Sequence, residues 1–322
     1  MSARRKLRVG MVGARGYVGS ELVTLLARAP DVEIAWLTST TEVGRDVRER
    51  ISAAPAGLRF SSGDDPEARL AEPVDVVVLA LPNGAAPAWV AAVDRVRGDA
   101  VVVDLSQDHR ADPRFAYGLP ARRREAIRRA RRIANPGCYA TAMQIALDPL
   151  VPWLHGPAHV FGVSGYSGAG TAPSPRNDQA RLRDNLLPYS LVSHAHEREV
   201  ATELDHPVRF MPHVAPFFRG ITVTISGRFA SARAAAEVTA ALRARYAGEP
   251  LVVVSDDAPC VRDVVERHEV FVGGVEVAPD GRAFALVATV DNLLGGAATT
   301  ALRNVNLATG RSELAGLEGA AG

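Results

Sequence analysis

The feature that most constrains the fold stands near the start of the chain. An apolar run from Leu7 to Val12 leads directly into Gly13-Ala14-Arg15-Gly16-Tyr17-Val18-Gly19. From Tyr17 to Arg28 the apolar residues Val18, Leu22, Leu25 and Leu26 recur at helical spacing, and Pro30 follows. A buried strand, a glycine turn and a helix in that order open a dinucleotide-binding, parallel-sheet domain. The glycines are spaced G-x-x-G-x-x-G rather than the commoner G-x-G-x-x-G. The mechanics survive, because small residues let the backbone approach a pyrophosphate seated on the helix N-terminus. Gly13, Arg15, Gly16, Tyr17 and Val18 are therefore candidate cofactor contacts.

Further strands are expected at Val32 to Leu37, Val74 to Leu81 and Ala100 to Leu105, with a helix at Ala85 to Val96. The second strand ends in Trp36-Leu37-Thr38-Ser39-Thr40-Thr41, without the Asp or Glu that an NAD ribose wants. The hydroxyls of Thr38 and Ser39, with Arg45 nearby, suit a 2′-phosphate, so NADP is expected over NAD. After Arg132-Ile133-Ala134 the pattern changes to strand following strand, at 159–164, 208–214, 221–229, 251–254, 270–277 and 283–290. Helical patterns lie near 139–148, 194–204 and 234–247. This predicts an α/β chain: a Rossmann-type domain over 1–137, then an α+β catalytic and oligomerisation domain with a mixed sheet over 138–295. A last helix, about 296–309, is expected to pack back on the first domain. The segment Ser164 to Pro175 reads as a long functional loop, and Arg311 to Gly322 as a poorly ordered tail. The strand-rich second domain suits a homodimer or homotetramer.

At 322 residues, 47% hydrophobic and 23% charged, the chain is an ordinary globular protein. A formal net charge of +1 gives no drive toward nucleic acid or anionic membranes. No apolar run is long enough for a membrane helix, and Ser2-Ala3-Arg4-Arg5-Lys6 precedes the first strand without a signal core. Two distant cysteines, Cys138 and Cys260, form no disulfide framework, so a reducing cytoplasm is expected. Lys6 is the only lysine among 37 basic residues, which argues against Schiff-base and P-loop chemistry. Buried anions must be met by arginine, backbone amides or helix ends.

The most informative segment is Asn135-Pro136-Gly137-Cys138-Tyr139-Ala140-Thr141. Proline and glycine force a turn, and a helix is expected to begin right after the cysteine. The positive end of that helix favours a thiolate. A cysteine of pKa near 8.5 is about 3% thiolate at pH 7, whereas a pKa near 6 gives about 90%. The blander alternative is a small buried hydrophobe, which is the reading kept for Cys260. A base is offered by His194-Ala195-His196-Glu197-Arg198-Glu199. In a helix His194 and His196 point in different directions, while His196 and Glu199 share a face at i, i+3. Glu199 is then placed to orient His196 as acid/base, with His194 a neighbour touching substrate. No ligand set completes a metal site around the two imidazoles, so no metal is expected.

Together these segments resemble the N-acetyl-γ-glutamyl-phosphate reductase family of arginine biosynthesis, in the type found as the reductase part of the fungal bifunctional enzyme. The resemblance runs through nearly the whole chain. It includes Ala80-Leu81-Pro82-Asn83-Gly84, Asp104-Leu105-Ser106, Tyr117-Gly118-Leu119-Pro120, Val163 to Gly170, Met211 to Pro216 and Asp291-Asn292-Leu293-Leu294. It implies an acyl-phosphate substrate, Cys138 as nucleophile, His196 as acid/base, and a thioester reduced by NADPH. It also implies that Arg110 holds the substrate phosphate, with Asn135 and His194 beside the substrate. Pro82, Ser167, Gly168 and Asn292 fall on the cofactor side.

Two departures from the family pattern bear on substrate choice. The usual Asn-Leu-Leu-Lys-Gly reads Asn292-Leu293-Leu294-Gly295-Gly296 here, and the segment from Arg110 to Tyr117 is short. The arginines at 122–124, 128, 129, 131 and 132 admit an alternative, a paralogue whose acyl phosphate is tethered to an acidic carrier protein. A solvated helix face is the favoured reading of that stretch. A dinucleotide-binding sensor without turnover is disfavoured by the presence of Cys138, His196 and Glu199.

Overall fold

A computed structural model describes residues 5–317. The chain divides into two compact units, one running up to Pro136 and resuming from Ala297, the other being Gly137–Gly296. In chain order the first unit holds β1 (Leu7–Val12), α1 (Tyr17–Arg28), β2 (Val32–Thr38), β3 (Phe60–Ser61), α2 (Pro66–Leu70) and β4 (Val76–Leu79). It continues with α3 (Ala86–Val96), β5 (Val101–Asp104), β6 (Ala116–Tyr117), α4 (Pro120–Arg129) and β7 (Arg132–Ala134). The second unit holds α5 (Cys138–Leu147), β8 (Ala158–Gly165), α6 (Gln179–Leu182), β9 (Leu187–Pro188), α7 (Ala195–Leu204) and β10 (Val208–Ala215). Then come β11 (Ile221–Arg228), α8 (Ala235–Arg245), β12 (Val252–Val254), β13 (Val270–Val277) and β14 (Ala283–Val290). A π-turn at Leu294–Ala298 leads into α9 (Thr299–Ala308), which belongs to the first unit.

In the first unit seven strands pair in the order β3-β2-β1-β4-β5-β7-β6, and every ladder is parallel. β4 and β5, Val-rich and buried at every residue, are the strands that helices cover on both faces. The strand order reverses between β1 and β4. Doubly wound sheets bind ligands outside the carboxyl ends of their strands at such a reversal.

α9 packs on α1, α4 and β5, with every residue from Thr299 to Leu307 buried. Its Arg303 donates through Nε to Glu313 at 3.0 Å, and Arg124 of α4 reaches the same carboxylate at 2.7 Å. The tail expected to be loose from Arg311 is instead built in through Leu317. Arg311 pairs with Asp31 at 2.6 Å, and Asn306 donates to the carbonyls of Glu313 and Ala315. The rest of that expectation, at 318–322, lies outside the described residues, as do residues 2–4.

The other arginines of the basic stretch are largely engaged as well. Arg132 pairs with Asp94, Arg128 with Glu125, and Arg131 donates to the Asp99 carbonyl.

The second unit is a mixed sheet in the order β12-β13-β14-β11-β8-β10-β9. The pairs β12/β13 and β8/β10 are parallel and the rest antiparallel. α5 lies against β11, β13 and β14, α7 against β10 and α5, and α8 against β12 and β13. α5 is buried on every side from Tyr139 to Leu147, as a helix apolar all round must be. The opposite face of the sheet carries no helix of the unit. There Phe161 is 40% and Val253 36% exposed, in register with Met211 and Phe271.

No helix among the described residues is long and apolar enough to cross a membrane.

Burial opposes the charge of Glu313, but the hydrogen bond from Arg124 and the charge of Arg303 outweigh it and hold the carboxyl below its ordinary value. A depressed carboxylate contributes stability above its unfolded pKa and loses it as pH falls through the folded one. Glu313→Gln is expected to cost about 3 kcal/mol at neutral pH, because Arg303 keeps its burial and loses its counter-charge. It should also flatten the acid side of the stability curve, as urea melts of both proteins across acid pH will show.

Candidate active site

The glycine turn after β1 is shaped for close backbone approach. Gly13 has φ +80°, and a Cβ there would sit 2.2 Å from the Ala80 carbonyl oxygen. A Cβ on Gly19 would meet the Gly13 and Ala14 carbonyls at 2.7 and 2.8 Å. Gly16 ends the turn in extended conformation, and no side chain caps the first amides of α1. The start of α1 at Tyr17 and Val18 thus carries the positive end of the helix, and the loop fits a dinucleotide's pyrophosphate. Pro82 is exposed after β4, on the other side of the strand reversal, in a turn where Gly84 has φ +89°. The Asp108 carboxylate accepts from the amides of Gly84 and Ala86 at 2.7 and 3.2 Å and so caps α3.

The cofactor's ribose end differs in detail from expectation. Thr38 and Ser39 are buried, and the Ser39 hydroxyl accepts from the amides of Thr41 and Glu42 at 3.3 and 3.1 Å. Arg45 is bound to Glu49 four residues on. Arg15, in the glycine turn itself, makes no ion pair among the described residues.

After β5 the chain forms a tight polar knot. Asp104 is fully buried and accepts from the Ser106 amide and hydroxyl, both at 2.9 Å, and from His109 Nδ1 at 2.6 Å. His109 stacks on Phe115 with centroids 4.3 Å apart. The sequence alone does not single out this histidine, because nothing local shows that it folds back on the aspartate five residues earlier. The knot fixes the loop that ends in Arg110. That guanidinium donates to the carbonyls of Asn135 and Leu105 at 2.9 and 3.2 Å. Asn135 is buried; its Oδ1 accepts from Asn304 of α9 at 2.9 Å, and its Nδ2 reaches the Ala297 carbonyl at 3.4 Å. It is thereby built into the first unit's interior.

In the second unit Cys138 is the first residue of α5, with Gly137 as N-cap and no side-chain cap. The helix thus begins at the cysteine, one residue earlier than expected. The sulfur stands half-buried at the positive end of α5. Glu199 reaches across from α7, and its Oε1 accepts the Gly137 N–H at 2.9 Å, which holds the turn immediately before the nucleophile.

His194 does not lie within α7 but caps it. Its backbone is extended, and its Nδ1 accepts the His196 N–H at 3.1 Å. The expected divergence of the two imidazoles fails for that reason; their centroids are 4.9 Å apart. Since Nδ1 accepts, the hydrogen sits on Nε2. Burial, then the nearby Arg176 charge, pulls His194 down to about 4, so it is neutral at physiological pH.

Around these histidines stand Tyr139, 6.0 Å from His196 by centroids, and Tyr189, 5.6 Å from His194. Burial, then the Cys138 charge, pushes the Tyr189 hydroxyl up to about 12. Burial likewise raises the Tyr139 hydroxyl above its ordinary value, and that hydroxyl donates to the His213 carbonyl at 3.1 Å. Neither tyrosine was singled out from the sequence. Tyr139 follows Cys138 in α5, and Tyr189 joins the site through its contact with His194 at the start of α7.

Ser167 and Asn292 are buried and bonded to each other at 2.9 Å, and Asn292 Oδ1 also accepts from the Gly220 amide at 2.7 Å. Gly168 is exposed in the turn Tyr166–Ala169, a short 3₁₀ element inside what reads as a long loop. The neighbouring Asp291 is fully buried and paired with Arg219 at 2.6 Å. It also accepts from the amides of Leu293 and Leu294, at 2.9 and 3.0 Å. This brings Gly296 against Cys138, where a Cβ would lie 2.9 Å from the cysteine's own. At Gly295 a Cβ would meet the His268 carbonyl oxygen at 2.7 Å and Val290 at 2.8 Å. The family's lysine at that position has no room here without a shift of the backbone. Among the described residues no three His, Cys, Asp or Glu side chains gather as a metal site.

A dinucleotide turn in one unit, and in the other a cysteine at a helix start and a pair of imidazoles, fit a reductase of the semialdehyde dehydrogenase class. Residues 8–130 match the family described as semialdehyde dehydrogenase, NAD binding domain, and residues 138–292 match semialdehyde dehydrogenase, dimerisation domain. The fold is similar to that of aspartate semialdehyde dehydrogenase II from Vibrio cholerae, with TM-score 0.77 at 20% identity over 95% of this chain and 99% of that one. It is also similar to aspartate semialdehyde dehydrogenase with NADP from Candida albicans, with TM-score 0.73 at 19% identity over 94% and 98%. N-acetyl-gamma-glutamyl-phosphate reductase of Xanthomonas oryzae pv. oryzae is 49% identical over 95% of this chain and 96% of its own length. The protein of that name from Xylella fastidiosa is 48% identical over 95% and 93%. The chain belongs to the N-acetyl-gamma-glutamyl-phosphate reductase family, and it is an oxidoreductase.

Gly296→Ala is expected to slow iodoacetamide alkylation of Cys138 and to lower turnover about tenfold or more, because its methyl displaces the nucleophile. A variant with wild-type alkylation and turnover would contradict that packing.

Proposed function

We propose that the chain reduces N-acetyl-γ-glutamyl phosphate to N-acetylglutamate γ-semialdehyde and phosphate, with NADPH as reductant, in arginine biosynthesis. The observation that carries this reading is Cys138 at the first turn of a buried helix whose next residue, Tyr139, lies 6.0 Å from His196 by ring centroids, in a chain about half identical to reductases of that name. Cys138 Sγ attacks the γ-acyl carbon, the carbon–oxygen bond to phosphate breaks, and phosphate leaves with the electron pair. The amides at the start of α5 stabilise both the thiolate and the negative charge that develops on the carbonyl oxygen. The turn of Gly13, Gly16, Tyr17 and Val18 would hold the pyrophosphate of a nicotinamide dinucleotide, which when bound would supply the hydride that reduces the thioester on Cys138 to a thiohemiacetal. His196 gives a proton to the new hydroxyl and takes it back as the carbon–sulfur bond breaks, which frees aldehyde and thiolate. Arg110, its guanidinium anchored on two carbonyls, is assigned to the phosphate.

NADP is favoured over NAD because no carboxylate terminates β2 and the Arg15 charge is not consumed by an ion pair. The Candida neighbour was solved with NADP. A second copy of the chain is the partner assigned to the uncovered sheet face around Phe161, Met211 and Phe271, giving a homodimer or a tetramer built from it. The free cysteines suit a reducing cytoplasm. The carrier-protein alternative loses support because Arg124, Arg128 and Arg132 are held in ion pairs.

The test is the reverse reaction, in which NADP reduction is followed with N-acetylglutamate semialdehyde and phosphate. Turnover with this aldehyde, a clear preference for NADP, and its loss in Cys138→Ser are expected. A largely active Cys138→Ser enzyme contradicts the covalent route, and activity only on another semialdehyde contradicts the substrate.

A further inference from the structure

The chemistry above leaves Arg176 without a task. Arg176 follows the Gly/Ser/Pro segment, and its backbone is pinned from the next residue. Asn177 Oδ1 accepts from the Ser174 amide at 2.8 Å, and its Nδ2 donates to the carbonyls of Gly170 and Ala172 at 2.9 and 2.7 Å. Asp178 then caps α6 through the Ala180 amide at 3.0 Å. So anchored, Arg176 lays its guanidinium 5.0 Å from the centre of the Tyr189 ring.

Tyr189 packs on His194, and His194 on His196, so the cation stands at the far end of a row that leads to the acid/base. Its charge is felt at both Tyr189 and His194, while the Cys138 charge is felt at Tyr189. Unlike Arg209, Arg219, Arg228, Arg233, Arg243 and Arg245 of the same unit, Arg176 makes no ion pair among the described residues. A half-buried guanidinium beside a phenol that stays protonated is a donor pair lacking an anion.

Phosphate leaves the substrate once the thioester forms, whereas the carboxylate on its α-carbon stays with the bound acyl chain. We propose that Arg176 and Tyr189 form the subsite for that carboxylate, with the planar guanidinium gripping it and the phenol O–H as second donor. The subsite sets substrate choice: it selects amino-acid-derived semialdehydes over plain ones and holds the acyl chain in line with Cys138. It rests on the proposed substrate and goes beyond it in assigning the residues that recognise the carboxylate.

The experiment compares two aldehydes in the reverse reaction, N-acetylglutamate semialdehyde and 4-acetamidobutanal, which lacks only the carboxylate. Wild-type enzyme, R176Q and R176K are each assayed for kcat/KM with both, and for the KM of phosphate. Wild-type enzyme should prefer the carboxylate-bearing aldehyde, and R176Q should lose about 30-fold of that preference. R176K should keep an intermediate preference, which a merely structural role would not give. Equal discrimination by R176Q and wild type overturns the subsite. A rise in the KM for phosphate in place of lost discrimination overturns it in favour of phosphate binding. Failure of wild-type enzyme on N-acetylglutamate semialdehyde contradicts the substrate reading instead.

Discussion

The site depends on holding one short turn still. Cys138 has its position because Gly137 caps α5, and Gly137 is held because its N–H ends on Glu199 of α7 at 2.9 Å. From the other side Gly296 packs against the cysteine, at a distance that admits no side chain. Gly296 is there because the buried Asp291 gathers the amides of Leu293 and Leu294 while paired with Arg219. Segments near 137, 199 and 291–296, far apart in sequence, thus meet around the turn that holds Cys138. A buried carboxylate with this many donors is costly to break at any one of them, which suits a support for a nucleophile.

The two sheets contribute differently. The parallel sheet of the first unit offers its carboxyl edge, where the Gly13 turn and the Pro82 turn leave the ends of β1 and β4. The mixed sheet of the second unit is a platform with helices on one face only. β8 and β10 support Tyr139 and Phe210 beneath the imidazoles, and the centroids of those two rings lie 4.8 Å apart. α9, although it follows the whole second unit in the chain, completes the first. Its Asn304 bonds both Gly118 and Asn135 at 2.9 Å, tying the loop after β6 to the segment before the nucleophile.

What the sequence revealed follows from how local each signal is. The strand, turn and helix at Leu7 to Arg28 are contiguous, so periodicity and glycine spacing reveal them together. β8, β10, β11 and β14 alternate over most of their eight residues and are equally legible, whereas β13 breaks its alternation at the irregularity between Gly273 and Glu276. The two-residue strands β3, β6 and β9 carry no period and depend on their neighbours for existence. At the site, Cys138 and His196 stand in compact motifs. Tyr189, Arg176 and the pairing of His109 with Asp104 arise from chain reversals that no local pattern encodes. The capping role of His194 was missed for a related reason: helical periodicity cannot tell the residue that begins a helix from the one that caps it. The ordered stretch at 311–317 was missed because two of its anchors, Asp31 and Arg124, lie far from it in sequence.

The claim on which the rest turns is that acyl transfer to Cys138 precedes reduction. The enzyme can be mixed with N-acetyl-γ-glutamyl phosphate in the absence of NADPH, quenched in acid, and its peptides mapped by mass spectrometry. The account predicts a stoichiometric N-acetylglutamyl increment on the peptide holding Cys138, removed by hydroxylamine and absent from the peptide holding Cys260. Acylation confined to Cys260, or no adduct while the same sample turns over normally once NADPH is added, would contradict it.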